Sequence, residues 1–157
     1  VVSFSRPADL GAQSGLVLKS SGIADYENMS GKKIVVVTGS TGDILASKQW
    51  PNNEFVRVDA VSTAIQAVQS GQADICIGDW AAFNEAGKTD SNLLLLPILK
   101  YEAVGLMLPQ GDVVWKEWVD NFLNDILVTG TTTSGDFTSI YRKWFELDPN
   151  PELMRWM

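Results

Sequence analysis

Gly31–Lys48 reads GKKIVVVTGSTGDILASK. Its first part, Lys32–Val37, is apolar and β-branched, the pattern of a strand buried on both faces. Thr38–Gly42 is a cluster of turn residues. A helix reads from about Gly42 to Trp50. A strand that passes through a Gly-rich turn straight into a helix opens a β-α-β unit, and the residues that follow repeat the alternation. Pro51-Asn52-Asn53 is a turn, and Glu54–Asp59 alternates like a strand. Val61, Ala64, Ile65 and Val68 share one helix face, which ends at Gly71, a residue suited to the C′ position. Asp74–Asp79 (DICIGD) is a second buried strand, Trp80–Lys88 a short helix, and Asn92–Leu99 a further strand that includes Pro97. Short links between alternating strands and helices argue for an α/β fold with a central, mostly parallel sheet.

Working outward, Gly15–Lys19 and Val104–Leu108 are short apolar strands on either side of this unit. The C-terminal part reads as helix. Trp115, Val119, Phe122 and Ile126 form one apolar stripe, and Phe137, Ile140, Tyr141, Trp144 and Phe145 form a second. Little sheet remains to cover them. An exposed apolar face of that size marks an interface, so a homodimer is expected.

Composition removes whole classes of function. The chain has 157 residues, 45% hydrophobic and 20% charged, which suits a folded core and gives a prior of one domain. It contains no histidine, so Ser-His-Asp and Cys-His catalysis and His-based metal sites are excluded. The one cysteine, Cys76, allows no internal disulfide. It lies within a strand and reads as buried and inert. Net charge is −7 and no Lys/Arg run exceeds two residues, which argues against a nucleic-acid partner. Apolar runs such as Leu93–Leu96 are far too short to span a membrane. Asp43, Glu54, Asp59, Asp74 and Asp90 read as solvated or capping groups, and no carboxylate cluster is dense enough for a metal site. No cofactor is expected. The opening VVSFSRPADL has neither a Met nor a leader pattern, and it reads as the middle of something longer.

The sharpest chemical feature is TGSTGD, Thr38–Asp43. Backbone N–H groups at a helix start are unsatisfied and lie at the positive end of the helix dipole, so the turn is suited to an anion. Gly39 and Gly42 would let a ligand approach the backbone, and Thr41 would add a hydroxyl. The turn is neither a P-loop nor a dinucleotide fingerprint. An ordinary strand-to-helix turn with Ser40 or Thr41 as N-cap reads equally well. Asp79 ends the DICIGD strand. Ligands of open α/β sheets sit beyond the carboxyl ends of strands, where Asp79 and the Gly39–Gly42 turn would share an edge. That pairing suits a zwitterion, with the carboxylate on the turn and the ammonium on Asp79. The alternative makes Asp79 the N-cap of the next helix. Trp80 reads as a stacking surface or as packing.

The stretch GKKIVVVTGSTGDILASK resembles the start of the second lobe of receptors of ABC importers that bind polar amino acids, the type II periplasmic-binding-protein fold. VDAVSTAIQAVQSGQADICIGD, SIYRKWF (Ser139–Phe145) and VVSFSRP resemble further segments of that family, in order along nearly the whole chain. The resemblance implies a periplasmic-binding-protein-like architecture. One complete α/β lobe would span residues 24–103. Residues 1–23 would hold a first-lobe remnant and the first hinge strand, and 104–157 the second hinge strand and the C-terminal helices of a partial first lobe. It implies that Thr41 and Gly42, with Gly39 and Ser40 in the same turn, bind the ligand α-carboxylate. Asp79 would accept the α-ammonium, and Val37 and Thr38 would face the ligand side chain. Membrane subunits of an ABC transporter and an extracytoplasmic location follow by the same resemblance. The family's N-terminal first-lobe portion has no counterpart here, and neither Arg6 nor any other Arg sits in the family's carboxylate-binding motif. Weakened ligand binding is therefore expected, with a sensor or interaction module that has lost its ligand, or a glutamate-receptor-like binding core, as the alternatives. A few members of the fold are dehydratases, but without histidine an enzyme is not expected.

Overall fold

In the computed structural model, residues 1–126, 137–146 and 148 are described. They form six strands and five α-helices: β1 (Val2–Leu18), β2 (Lys33–Val37), α1 (Thr41–Gln49), β3 (Glu54–Val58), α2 (Val61–Gln69), β4 (Ile75–Asp79), α3 (Trp80–Thr89), β5 (Leu93–Leu95), β6 (Lys100–Pro109), α4 (Val113–Asn124) and α5 (Phe137–Phe145). The chain divides into two units, Gly11–Glu102 and the pair of segments Val1–Leu10 and Ala103–Met157. Strands β1 and β6 each run through a boundary between them.

The unit Gly11–Glu102 is a sheet in the order β3-β2-β4-β1-β5. Its heart is parallel, with β2 pairing β3 through Lys33↔Glu54 to Val37↔Val58, and β4 through Ile34↔Ile75. β1 joins β4 antiparallel, Gln13 opposite Asp79 and Val17 opposite Ile75, and β5 joins β1 antiparallel. Strand alternation splits the core by face, because successive side chains point to opposite sides. Leu16, Val35 and Cys76 pack with Ala64, Val68 and Phe83 of α2 and α3. Val17, Ile34, Val36, Ile75 and Ile77 pack on the other face with Ala46 of α1 and with Met29. Both faces are covered, which is why β2 and β4 read as continuous apolar runs.

The elements of this unit follow the sequence pattern closely. Gly71, in the left-handed region at φ 73°, follows the C-cap Ser70 of α2. Three strands differ from expectation, β6 among them, since it begins at Lys100 and not at Val104. β5 stops at Leu95, and Tyr26 Oη donates to the Pro97 carbonyl at 2.6 Å beyond it. β1 begins at Val2, far ahead of Gly15.

In the other unit, Leu108 of β6 packs with Val119 and Leu123 of α4, flanked by Ala8. The Arg6 backbone N–H donates to Asp120 and its guanidinium to Asn124, both at 2.7 Å. The expected exposed stripe of α4 holds in part. Val119 is buried, but Trp115 and Phe122 face solvent, and Leu123 takes the inward position instead. Trp115, Trp118 and Phe122 stack along the exposed side, with ring centroids 5.2 and 5.5 Å apart. In α5, Ile140 and Trp144 are exposed. The side chains of Phe137 and Phe145, and residues 127–136, 147 and 149–157 of the expected C-terminal segment, lie outside the described residues. No helix among the described residues is long and apolar enough to cross a membrane.

Candidate ligand site at the carboxyl ends of β2 and β4

From β2 the chain passes through α1 to β3 on one side. From β3 it passes back through α2 to β4 on the other. Helices α1 and α2 cover opposite faces, so a crevice opens where these connections diverge, beyond the ends of β2 and β4. Open α/β sheets bind ligands at such a switch point.

The turn after β2 is built by its own polar groups. Thr38 donates both its N–H and its hydroxyl to the Val58 carbonyl, at 2.8 and 3.1 Å, fixing the turn to β3. Gly39 takes φ 69°, where a side chain would be strained. Its N–H donates to Asp43 Oδ2 at 3.0 Å. Ser40 is the N-cap of α1, its Oγ accepting from the Asp43 N–H at 3.2 Å. The N–H groups of Thr41 and Gly42 have no acceptor among the described residues. Two unsatisfied donors thus remain at the positive end of α1.

Of the two parts expected for Asp43, solvated or capping, the bond from the Gly39 N–H fits the second, and the first does not hold. It is buried, and its carboxylate takes an ion pair from Arg57 Nη2 at 3.0 Å and a hydrogen bond from Ser47 at 3.1 Å. Burial opposes its ionisation. Arg57, the Gly39 N–H and Ser47 outweigh burial, leaving its pKa below the ordinary 3.8. Gly42 also differs from its expected part. A Cβ there would stand 2.8 Å from the Ile77 carbonyl and 3.1 Å from Gly78 Cα. Its missing side chain lets α1 approach β4.

Asp79 takes the N-cap role, one of the two readings the sequence left open, and does so with one oxygen only. Its Oδ1 accepts from the Ala82 N–H at 3.0 Å and caps α3, and the residue is exposed, with Oδ2 free of protein partners among the described residues. A cavity of about 140 Å³ brings Asp79 together with Val37, Ser40, Thr41 and Gly42. Thr38 and Gly39 do not line it, and neither does Trp80. Cys76 and Phe83 close its floor, and burial pushes the Cys76 thiol up to about 12, so no thiolate is available there. A space of about 150 Å³ holds a benzene-sized molecule, so this one suits a small headgroup. A second, open cavity of about 580 Å³ shares Thr41 and is lined also by Ile44, Lys48, Lys100 and Glu102.

Gln13 is the lining residue that sequence reasoning missed. It stands opposite Asp79 across the β1–β4 pairing, is 5% exposed, and donates from Nε2 to Thr41 Oγ1 at 3.0 Å. Its place was hidden because β1 does not read as a strand before Gly15. The one available signal was its position two residues before the apolar run that begins at Gly15.

No family model matches the chain. It is 27% identical over 136 residues to an L-glutamate/L-aspartate-binding protein of Pseudomonas aeruginosa, covering 81% of this chain and 43% of that protein. It is 28% identical over 151 residues to a probable histidine-binding protein of Neisseria gonorrhoeae, covering 92% and 54%. The chain thus spans about half the length of these relatives. Among solved structures, a mutant of ArgBP from T. maritima superimposes with a TM-score of 0.78 at 27% identity, covering 94% of this chain and 63% of that one. In sequence and in fold alike, the chain is similar to amino-acid-binding proteins of ABC importers and shares the periplasmic-binding-protein fold of these neighbours.

Proposed function

We propose that the chain belongs to the solute-binding component of an ABC amino-acid importer and that the cavity between Thr41 and Asp79 grips the ligand's zwitterionic headgroup. The observation that carries this is one small cavity lined at once by the unsatisfied start of α1 and by an exposed carboxylate. The Thr41 and Gly42 donors take the α-carboxylate, Asp79 takes the α-ammonium, and Val37 borders the side chain. Ser40 holds the turn as its N-cap, and Thr38 and Gly39 set the turn's shape outside the cavity. In this reading residues 24–103 are the second lobe, while 1–23 and 104–157 belong to the crossing strands and the first lobe. The protein works outside the cytoplasm and delivers its ligand to transporter membrane subunits. The exposed rings of α4 favour a second copy of the chain as a further partner.

The test is a panel of L-arginine, L-lysine, L-histidine and L-glutamate followed by NMR titration. Asp79→Asn keeps a side-chain oxygen for the α3 cap and removes only the charge. It is expected to weaken binding about tenfold, the loss of one charge-assisted hydrogen bond. An unchanged dissociation constant rejects the zwitterion site, and failure of every amino acid to bind favours the ligand-free sensor.

A further inference from the structure

Gln13 Nε2 donates to two acceptors, Thr41 Oγ1 at 3.0 Å and Glu102 Oε2 at 3.1 Å. Its other end, Oε1, is sealed from solvent and has no partner among the described residues. A buried carbonyl left unpaired is costly, so the orientation of this amide needs a cause. Glu102 supplies it. A carboxylate can only accept hydrogen bonds, so the nitrogen must face Glu102, and the same nitrogen then faces Thr41. Gly42 makes room for this arrangement, because a Cβ there would stand 3.1 Å from Oε1.

The consequence falls on the Thr41 hydroxyl. A hydroxyl has one proton to give and two lone pairs. One lone pair is taken by Gln13, and the proton has no acceptor among the described residues. We propose that Gln13, held by Glu102, is a positioning residue that fixes the Thr41 hydroxyl as a donor toward the cavity. That end of the cavity then accepts a carboxylate and discriminates against its neutral ester. This rests on the amino-acid reading of the cavity. The Glu102–Gln13–Thr41 chain spans β6, β1 and the start of α1, so the site's polarity is set by the two strands that lead out of this unit.

Polarity, unlike packing, can be reversed. In Gln13→Glu the new carboxylate takes the Thr41 proton and turns a lone pair toward the ligand. The swap Gln13→Glu with Glu102→Gln restores the charge balance and the 13–102 hydrogen bond, yet leaves the Thr41 proton captured. The probe is whichever of L-arginine, L-lysine, L-histidine and L-glutamate binds most tightly, compared with its α-methyl ester by NMR titration, with thermal melts confirming folding. Preference for the free acid over the ester is expected to fall about tenfold in Gln13→Glu and to stay low in the swap, one charge-assisted hydrogen bond being lost in each. Gln13→Leu, which frees the hydroxyl without reversing it, should lose about threefold and decides the matter if Gln13→Glu fails to fold. A swap that regains the wild-type preference, or a Gln13→Leu that keeps it, overturns the relay. Thr41→Val separates the two levels. If it leaves the preference intact, or if no amino acid binds the wild type, the site reading itself fails and the relay goes with it. If it lowers the preference while the Gln13 variants do not, only the relay fails.

Discussion

Asp43 is 8% exposed and charged at neutral pH, and it holds the turn before α1 in shape through three neighbours: Gly39, Ser47 and Arg57. Asp43→Asn keeps the size but removes the charge that Arg57 faces. It is expected to destabilise the fold by about 1–3 kcal/mol near pH 7, measured by urea denaturation, because charge-assisted hydrogen bonds become neutral or are lost. Arg57 is half exposed, which keeps the figure below that of a sealed pair. The pH dependence has a definite sign. A carboxylate whose folded pKa lies below its unfolded value stabilises the fold above the unfolded pKa. That stability is lost as pH falls through the folded pKa. The gap between wild type and Asp43→Asn should therefore close below about pH 4. A gap that stays constant down to pH 2 rejects the ionised, paired role. At this scale the sequence made Thr41 and Asp79 legible as candidates, since Asp79 ends an evident strand and Thr41 follows the turn after another. Asp43 was not, because burial of a first-turn acid depends on Arg57, which comes from a different strand.

At the scale of elements, α1 is set by contact with β4 more than by its own pattern. Gly42 lets the helix start lie against the Ile77 carbonyl. Gly42→Ala should push α1 away from β4 and cost about 1–3 kcal/mol, the range of overpacking. Gly87 in α3 is the control: nothing lies within 4 Å of its Cβ position. Gly87→Ala should stabilise by about 0.5–1 kcal/mol, as expected for a helix interior. Equal effects of the two substitutions in chemical denaturation would refute the close-approach argument. The β2–α1–β3–α2–β4–α3 run was readable because each strand is a short apolar block bounded by turn residues. β1 was not, because Pro7, Asp9 and Gly11 interrupt any alternation. Its pairing with β4 and β5 is decided by tertiary contacts that periodicity does not record. Likewise the α4 heptad pattern offers two faces. Leu108 selects the one carrying Val119 and Leu123, leaving the rings outside.

For the whole molecule, the question is how tightly these parts can hold a ligand. Thr41 and Asp79 are exposed, so each end of a zwitterion would be held near water, where a charge-assisted hydrogen bond stays at the low end of its range, about 1.5 kcal/mol. A dissociation constant of 1 mM already needs about 4.1 kcal/mol, so monomeric chain is expected to bind amino acids no more tightly than about 1 mM. A cover over the cavity would remove water and strengthen both contacts. An apolar face suited to self-association is the stacked Trp115–Trp118–Phe122 side of α4, where the rings are 44%, 57% and 45% exposed. Large aromatic rings left in solvent favour association by the area they can bury. Light scattering is expected to show mass rising from monomer to dimer with concentration, and Trp118→Ser is expected to shift that transition to higher concentration. The two measurements check each other. A chain that stays monomeric at every concentration rejects the dimer, and micromolar amino-acid affinity in that monomer would show that the half-open cavity grips its ligand far better than exposed contacts allow.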